Sequence, residues 1–327
     1  MATSAIEAEG LVKNFKQVRA LDGIDLVATE GTVFGLLGPN GAGKTTAIRV
    51  LSTLILPDAG RASVAGYDVV REPAEVRRNI GLTGQYAAVE ELLSGHENLY
   101  MIGRLLGLSP DEGRARATEL LRDFDLSDAA SKVVKTYSGG MRRRLDLAAS
   151  LVGRPRLLYL DEPTTGLDPR SRLELWEMIR ALVARGTTVL LTTQYLEEAD
   201  RLTDEIVVID HGKVIAAGTP QQLKERVGGQ VLQAQAADPA FLEATEKILS
   251  RFAREGESVH NDGQIVTVPI ADRSALGHAV RALDDAGIAV DDLALRRPSL
   301  DEVFLSLTGH LAEEQPQEED TNERSRR

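Results

Sequence analysis

Three runs of consecutive apolar residues stand out in the first two-thirds of the chain, at residues 32–37, 157–160 and 187–193. Each has the length of a strand, and runs of this kind are typical of strands buried on both faces of a parallel sheet. Residues 5–31 differ, because their apolar positions alternate with polar ones. Alternation predicts antiparallel strands with one face toward the core, joined by polar turns.

Helical spacing of the apolar residues begins directly after the first run, at residues 47–51, and returns at residues 145–151. Residues 86–136 are predicted to be mostly helical, with one helix at 97–106 and another at 113–124. Ser109-Pro110-Asp111 between them is typical of a turn and a helix cap.

The pattern changes after Leu223, and residues 227–230 indicate a hinge. The following segments predict the order βαββαβ, at 230–236, 239–254, 257–260, 264–270, 273–286 and 288–295. Asn261-Asp262-Gly263 suits the hairpin turn between the two middle strands. This order suggests a small α+β domain of ferredoxin-like type. Residues 312–327 are polar and lack apolar periodicity, which predicts a disordered tail.

Composition narrows the functional classes. The net charge is −12, which disfavours sequence-independent binding of nucleic acid, because such binding needs clustered Lys and Arg. The chain has no cysteine, which excludes disulfides and thiolate metal sites. No apolar run approaches the roughly 20 residues of a membrane-spanning helix, and the N-terminus lacks the pattern of a signal peptide. Any work at a membrane would therefore need another chain to span it.

The stretch GPNGAGKTT at residues 38–46 matches the phosphate-loop pattern G-x-x-x-x-G-K-[ST]. It lies between the first apolar run and a helical segment, which is the context that the pattern requires. Its glycines and backbone N–H groups would wrap a phosphate at the helix N-terminus. Lys44 would reach the β- and γ-phosphates, and Thr45 would place its hydroxyl on Mg²⁺. The predicted nucleotide-binding residues here are Gly38, Pro39, Asn40, Gly41, Ala42, Gly43, Lys44, Thr45 and Thr46.

A second candidate stands where the run at 157–160 ends in Asp161 and Glu162. A buried parallel strand delivers such acids to the sheet edge where ligands bind. Asp161 is a candidate ligand of Mg²⁺, and Glu162 a candidate to orient or deprotonate the attacking water. Taken alone, the pair would be no more than a strand that leaves the core through a charged turn.

Between these two motifs, residues 137–144 read YSGGMRRR, and after the second motif residues 166–168 read GLD. This series, with Gln85 before it, resembles the ABC-type ATPases, whose signature motif is usually written LSGGQ. The resemblance covers residues 6 to about 220. It implies an α/β fold, with a RecA-like core, an antiparallel β subdomain and a helical subdomain at about 86–150. The predicted domains are thus an ABC ATP-binding domain at 1–226, an accessory domain at 230–311 and the tail at 312–327.

The resemblance also implies roles for individual residues. Gln85 would bind Mg²⁺ and water. It would also be the first residue of the segment that contacts a membrane partner. Ser138, Gly139 and Gly140 would reach the ATP of a second copy, so that two ATP molecules lie in a head-to-tail dimer. From the residues alone, a simple helix cap followed by a flexible turn is the favoured interpretation of Ser138 and its glycines. Phe15 could stack on the purine, or it could be an ordinary core residue of the sheet.

Two positions depart from the ABC pattern. Gln194 stands where most members carry a histidine, and it can donate a hydrogen bond but cannot titrate near neutral pH. We therefore expect hydrolysis to persist, with Lys44, Glu162 and Gln194 as the catalytic residues. Met141 replaces the last polar residue of the signature and is expected to pack. With residues 295–310, these departures resemble the daunorubicin-resistance type of ABC ATPase, a group of drug and lipid exporters.

The resemblance implies a peripheral ATPase on the cytoplasmic face of the cell membrane, working with a separate multi-span permease. Its cargo, drug or complex lipid, stays open. One rival is a soluble ABC ATPase acting on DNA or ribosomes, but no heptad run and no second cassette are present. Another is a regulatory module with little turnover, against which the intact Glu162 counts.

Overall fold

The computed structural model describes residues 3–84, 89–228, 230–254, 259–270, 272, 274–296, 299–301, 303 and 304. The strands of the larger, N-terminal part are β1 (Ser4–Phe15), β2 (Val18–Thr29), β3 (Val33–Leu37), β4 (Ala59–Val64), β5 (Tyr67–Asp68), β6 (Ile80–Thr83), β7 (Leu157–Asp161), β8 (Thr188–Thr193), β9 (Glu205–Asp210) and β10 (Lys213–Gly218). Its helices are α1 (Lys44–Leu51), α2 (Pro73–Asn79), α3 (Gly95–Leu105), α4 (Pro110–Asp123), α5 (Gly139–Ser150), α6 (Pro169–Ala184), α7 (Leu196–Leu202) and α8 (Pro220–Gly228).

The central sheet has the strand order β10-β9-β3-β8-β7-β6 and is parallel except for the β9–β10 pair. Every residue of β3, β7 and β8 is buried, which explains why these strands are uninterrupted apolar runs in the sequence. Because the strands are parallel, the segments that follow β3, β7 and β8 emerge at one edge of the sheet.

A second sheet, of order β2-β1-β4-β5, is antiparallel. It confirms the antiparallel strands that the alternating pattern of residues 5–31 predicted. Helix α1 lies between the two sheets. Its Ala47, Ile48 and Leu51 belong to the same apolar core as Ile24 of β2 and Leu190 of β8. This packing fixes the helix that follows the phosphate loop.

The predicted helical segment is present as α3 and α4, and both helices begin with a capping box. In α3 the pair is Ser94 with Glu97, and in α4 it is Ser109 with Glu112. Leu99 of α3 and Leu121 of α4 share an apolar core with Leu145 of α5. The same core includes residues of the central sheet, so α5 joins the helical layer to it.

The C-terminal part contains β11 (Gln230–Ala236), α9 (Leu242–Leu249), β12 (His260–Asn261), β13 (Ile265–Ile270), α10 (Ala275–Asp285) and β14 (Val290–Arg296). Its four strands form an antiparallel sheet of order β12-β13-β11-β14. With the two helices, this is the ferredoxin-like arrangement that the sequence order suggested. The expected helix at 239–254 is shorter than predicted, because turns of 3₁₀ helix flank α9 on both sides.

The end of the described chain returns to the larger part. Leu300, Val303 and Phe304 are buried in one apolar cluster with Leu37 of β3 and Leu196 of α7. The cluster therefore links the C-terminal segment to the strand that leads into the phosphate loop. Within the described ranges, no helix combines the length and the apolar character needed to cross a bilayer.

Candidate functional site

The phosphate loop joins the end of β3 to the start of α1, and two of its glycines are sterically required. A Cβ on Gly38 would lie 2.1 Å from the carbonyl oxygen of Ile209. Gly43 has a φ of +113°, and a Cβ there would lie 2.4 Å from the carbonyl oxygen of Ala20. The backbones of β9 and β2 thus lie so close to the loop that only glycine, which has no Cβ, fits at these two positions.

Lys44 is the first residue of α1 and only 5% exposed. Its Nζ donates to the carbonyl oxygens of Gly38 at 2.7 Å and Pro39 at 3.0 Å. The ammonium is therefore held inside the curve of the loop, where a bound phosphate would meet it. Thr45 and Thr46 follow in the first turn of α1.

The strand register brings the two sequence motifs together. β8 lies between β3 and β7, with Leu37 opposite Thr193 on one side and Asp161 opposite Thr192 on the other. Thr192 donates its hydroxyl to Asp161, with 2.5 Å between Oγ1 and Oδ1. Thr192 and Thr193 are not among the residues predicted from the sequence, although two hydroxyl residues at the end of an otherwise apolar run are a signal for such a site.

Glu162 follows β7 with a φ of +48°, a left-handed conformation that is uncommon for any residue other than glycine, Asn or Asp. Its N–H donates to the carbonyl oxygen and the hydroxyl oxygen of Thr192, at 3.0 and 3.2 Å. Such backbone conformations concentrate at functional sites, where the surrounding structure enforces them. The hydrogen bonds to Thr192 therefore hold the Glu162 backbone in this turn.

The residues at this edge fit a magnesium ion by their chemistry. Asp161 offers a buried carboxylate, and Thr45 offers a hydroxyl oxygen at the start of α1. Mg²⁺ is commonly held by one or two such protein oxygens together with phosphate oxygens and water. Among the described residues, no cluster of three or more His, Asp or Glu side chains forms a separate metal site. Gln85, the third predicted ligand, lies outside the described residues.

Gln194 comes directly after β8 and is half-buried. It lines a small cavity with Gly38, Pro39 and Asn40 of the phosphate loop. Phe304, the last residue that the structure describes, lines the same cavity. The structure thus brings Gln194 to the loop that it was predicted to serve.

The signature segment forms a second helix N-terminus. Ser138 caps α5, accepting a hydrogen bond from the N–H of Met141 at 3.2 Å. Gly139 has open space around it, whereas a Cβ on Gly140 would lie 2.6 Å from the hydroxyl oxygen of Ser171. Ser171 in turn donates to Asp168, the cap of α6, and these hydrogen bonds lower the pKa of the Asp168 carboxyl. The signature and the GLD segment are therefore in contact within one chain.

Phe15 lies at the end of β1, with its ring 44% exposed. The Nζ of Lys13 is 5.7 Å from the ring centroid, within the range of a cation–π contact. Because the residue is partly exposed, its ring is available to stack on a purine. This role remains a prediction.

Comparisons with known proteins agree with this geometry. The family model for the ABC transporter matches residues 21–165, and the one for the ATP-binding protein DrrA1-3-like, C-terminal domain matches residues 218–308. Among solved structures, the ADP conformation of MJ1267, an ATP-binding cassette of an ABC transporter, is similar with a TM-score of 0.61 and 27% identity. The match covers 67% of this chain and 92% of that one. The fold and its nucleotide-binding edge thus define an ABC-type ATPase.

Two curated relatives place the chain more closely. Daunorubicin resistance ATP-binding protein DrrA2 of Streptomyces coeruleorubidus is 58% identical over 310 residues, covering 94% of this chain and 96% of the relative. Daunorubicin/doxorubicin resistance ATP-binding protein DrrA of Streptomyces peucetius is 53% identical over 323 residues, covering 98% and 97%. The chain belongs to this daunorubicin-resistance family of ABC transporter ATP-binding proteins. The resemblance seen in the sequence is confirmed.

Proposed function

We propose that this protein drives the export of a drug or an amphiphilic lipid through a separate multi-span permease. The proposal is supported by its near full-length similarity to proteins named for daunorubicin resistance. It would act as a peripheral subunit on the cytoplasmic face of the cell membrane. The net charge of −12 speaks against nucleic acid as a partner.

The main structural support for the ATPase role is the strand register around β8. It sets the phosphate loop after β3 and the carboxylates after β7 on the two sides of Thr192 and Thr193. In the proposed site, residues 38–46 hold the triphosphate, Lys44 binds its terminal phosphates, and Phe15 stacks on the purine. A bound Mg²⁺ would neutralise charge that develops on the phosphate oxygens.

The proposed catalytic work falls on three side chains. Glu162 orients and activates the attacking water, since its carboxylate follows Asp161 at the sheet edge that also carries the phosphate loop. Gln194 donates its amide to the γ-phosphate from the cavity beside the loop. Lys44 neutralises the transferred phosphoryl group. Gln85 is proposed as a further ligand of Mg²⁺ and water.

We infer that the working unit is a head-to-tail dimer with two ATP molecules between the copies. Ser138, Gly139 and Gly140 at the N-terminus of α5 would face the nucleotide of the partner copy. The open space around Gly139 supports this, because a phosphate can approach the backbone there. ATP binding would close the dimer and hydrolysis would reopen it, which moves the permease.

The proposal is tested with Glu162→Gln, which removes the water-activating carboxylate but retains the binding residues. The variant is loaded with MgATP and added to detergent-solubilised native membranes, and the proteins that copurify with it are identified. Recovery of a multi-span membrane protein, together with dimerisation of the variant, is the expected result. Sealed inside-out vesicles made from the same membranes without detergent then allow drug and lipid transport to be measured with and without the wild-type ATPase.

The matched control is Glu162→Gln combined with Lys44→Ala, which lacks the ammonium that binds phosphate. It should neither dimerise with MgATP nor retain the membrane protein. Capture of ribosomes or nucleic acid by the first variant, while the wild type hydrolyses ATP normally, would contradict the exporter function.

A further inference from the structure

Arg143, on the second turn of α5, is a buried cation whose partners are mostly backbone carbonyl groups. Its side chain is 12% exposed, and its ion-pair partner Asp146 is 2% exposed. A guanidinium group has five N–H donors in a rigid plane. In this protein each of those donors has an acceptor within 3.5 Å.

Three of the acceptors belong to consecutive residues, the last residue of β7 and the first two of the turn that follows it. Nε donates to the carbonyl oxygen of Pro163 at 2.6 Å, and Nη2 donates to those of Glu162 at 3.2 Å and Asp161 at 3.5 Å. Arg143 therefore holds the peptide groups on both sides of the Glu162 side chain. Since Thr192 binds the N–H of Glu162, the left-handed turn is fixed from two directions.

The fourth acceptor connects this turn to another segment. Nη1 donates to the carbonyl oxygen of Gly84 at 2.9 Å and to Asp146 at 3.3 Å. Gly84 follows β6 and precedes Gln85 in the sequence. One side chain of α5 thus bridges the ends of two neighbouring strands, β6 and β7.

We propose that Arg143 is a positioning residue for ATP hydrolysis, setting the orientation of Glu162 by holding its turn and tying that turn to Gly84 and α5. It touches neither ATP nor water in this role. This inference rests on the proposed catalytic role of Glu162. Helix α5 begins at the signature segment. A shift of this helix would therefore move, through Arg143, both the carbonyl groups that it binds and the carboxylate of Glu162.

Arg143→Gln is the main variant, and Arg143→Lys retains the positive charge beside Asp146. Neither can reach all five acceptors, because the lysine ammonium has three donors at one point and glutamine has two. We expect Arg143→Gln to lower kcat about tenfold or more, since small displacements of a catalytic group have effects of this size. The KM for ATP should stay within about twofold, because the phosphate loop is unchanged. The kcat of Arg143→Lys should lie between those of the wild type and Arg143→Gln.

The matched control is Arg142→Gln, the same change one residue earlier. Arg142 forms an ion pair with Glu91 at 2.9 Å, and its side chain is 35% exposed. This control should retain kcat within about twofold. Thermal unfolding of all variants separates loss of turnover from loss of folded protein, and the lysine variant is available if the glutamine variant fails to fold.

A double-mutant cycle with Glu162→Gln distinguishes positioning from general stabilisation. If Arg143 acts through Glu162, adding Arg143→Gln to Glu162→Gln should leave the residual kcat unchanged within about twofold. A multiplied loss in the double variant would overturn the proposal, as would an Arg143→Gln variant with normal kcat. If Glu162→Gln alone turned over normally, the catalytic role of Glu162 would fail, and the role of Arg143 with it.

Discussion

Trp176 of α6 donates its indole N–H to Glu198 of α7, with 2.9 Å between Nε1 and Oε1. Glu198 has no exposed surface, so the helix after the GLD segment and the helix after Gln194 are joined by a buried carboxyl. Burial raises the pKa of Glu198 above its ordinary value of 4.5, although hydrogen bonds and Arg172 oppose this effect.

The raised pKa of Glu198 predicts a pH-dependent stability. Between the unfolded and the folded pKa, the folded protein binds more protons than the unfolded chain. The stabilising contribution is complete below the unfolded pKa and is lost as pH rises through the folded pKa. Glu198→Gln cannot ionise, so its free energy of unfolding relative to wild type should be higher at about pH 7.5 than at about pH 5. Urea unfolding at the two pH values measures this, and an opposite trend would contradict the assignment.

Tyr159 gives a simpler stability prediction. Its ring is fully buried in β7, its hydroxyl has no hydrogen-bond partner among the described residues, and burial raises its pKa well above 10. Tyr159→Phe should therefore leave the free energy of unfolding unchanged or raise it by about 1 kcal/mol.

The control for this prediction is Tyr137→Phe, because the hydroxyl of Tyr137 donates to the carbonyl oxygen of Ala129 at 2.7 Å. This variant should lose about 1 kcal/mol in the same urea titration. Equal losses at the two tyrosines would show that the hydroxyl of Tyr159 has a partner after all.

The glycines of the phosphate loop should differ in their tolerance of a methyl group. Gly43→Ala would place Cβ 2.4 Å from the Ala20 carbonyl oxygen, so the loop must shift and MgATP affinity should fall about 100-fold or more. Gly41 has a φ of +81° but open space, so Gly41→Ala should cost roughly 1–2 kcal/mol of strain without a collision. Binding of a fluorescent ATP analogue measures both variants.

A control outside the site is Gly31→Ala, with a φ of +71° and open space. It should destabilise the fold by an amount similar to Gly41→Ala but leave nucleotide affinity unchanged. Equal affinities of the Gly41 and Gly43 variants would be evidence against the steric argument.

Gln194 predicts a particular pH profile of hydrolysis. A glutamine amide does not titrate, so wild type and Gln194→Ala should differ in kcat but share the same pH dependence. Gln194→His should keep kcat within about threefold of wild type, since the larger catalytic role is proposed for Glu162. Steady-state ATPase assays across pH measure this, and a large gain in the histidine variant would argue against it.

Much of the fold follows from local patterns. The runs at 32–37, 157–160 and 187–193 predicted the strands β3, β7 and β8, because strands buried on both faces have no polar positions to interrupt them. The C-terminal order βαββαβ was predicted for a similar reason, since alternation and turn residues are local signals. The domain boundaries at 226 and 230 remain predictions.

The long-range relationships could not be predicted in this way. That Thr192 meets Asp161 depends on strand order, which no short segment encodes. The left-handed turn at Glu162 is imposed by its neighbours, because a glutamate has no preference for it. Apart from Asp146, the partners of Arg143 are backbone carbonyl groups far away in sequence, and a carbonyl group has no residue-type signal.

The apolar cluster of Leu300, Val303 and Phe304 with Leu37 and Leu196 has a consequence for the order of folding during synthesis. A ribosome completes the nucleotide-binding part long before it reaches residue 300. Until then, Leu37 and Leu196 lack these three partners. The cluster is therefore complete only after residue 304 has emerged, so a nascent chain that stops earlier exposes the apolar surface that Leu300, Val303 and Phe304 cover.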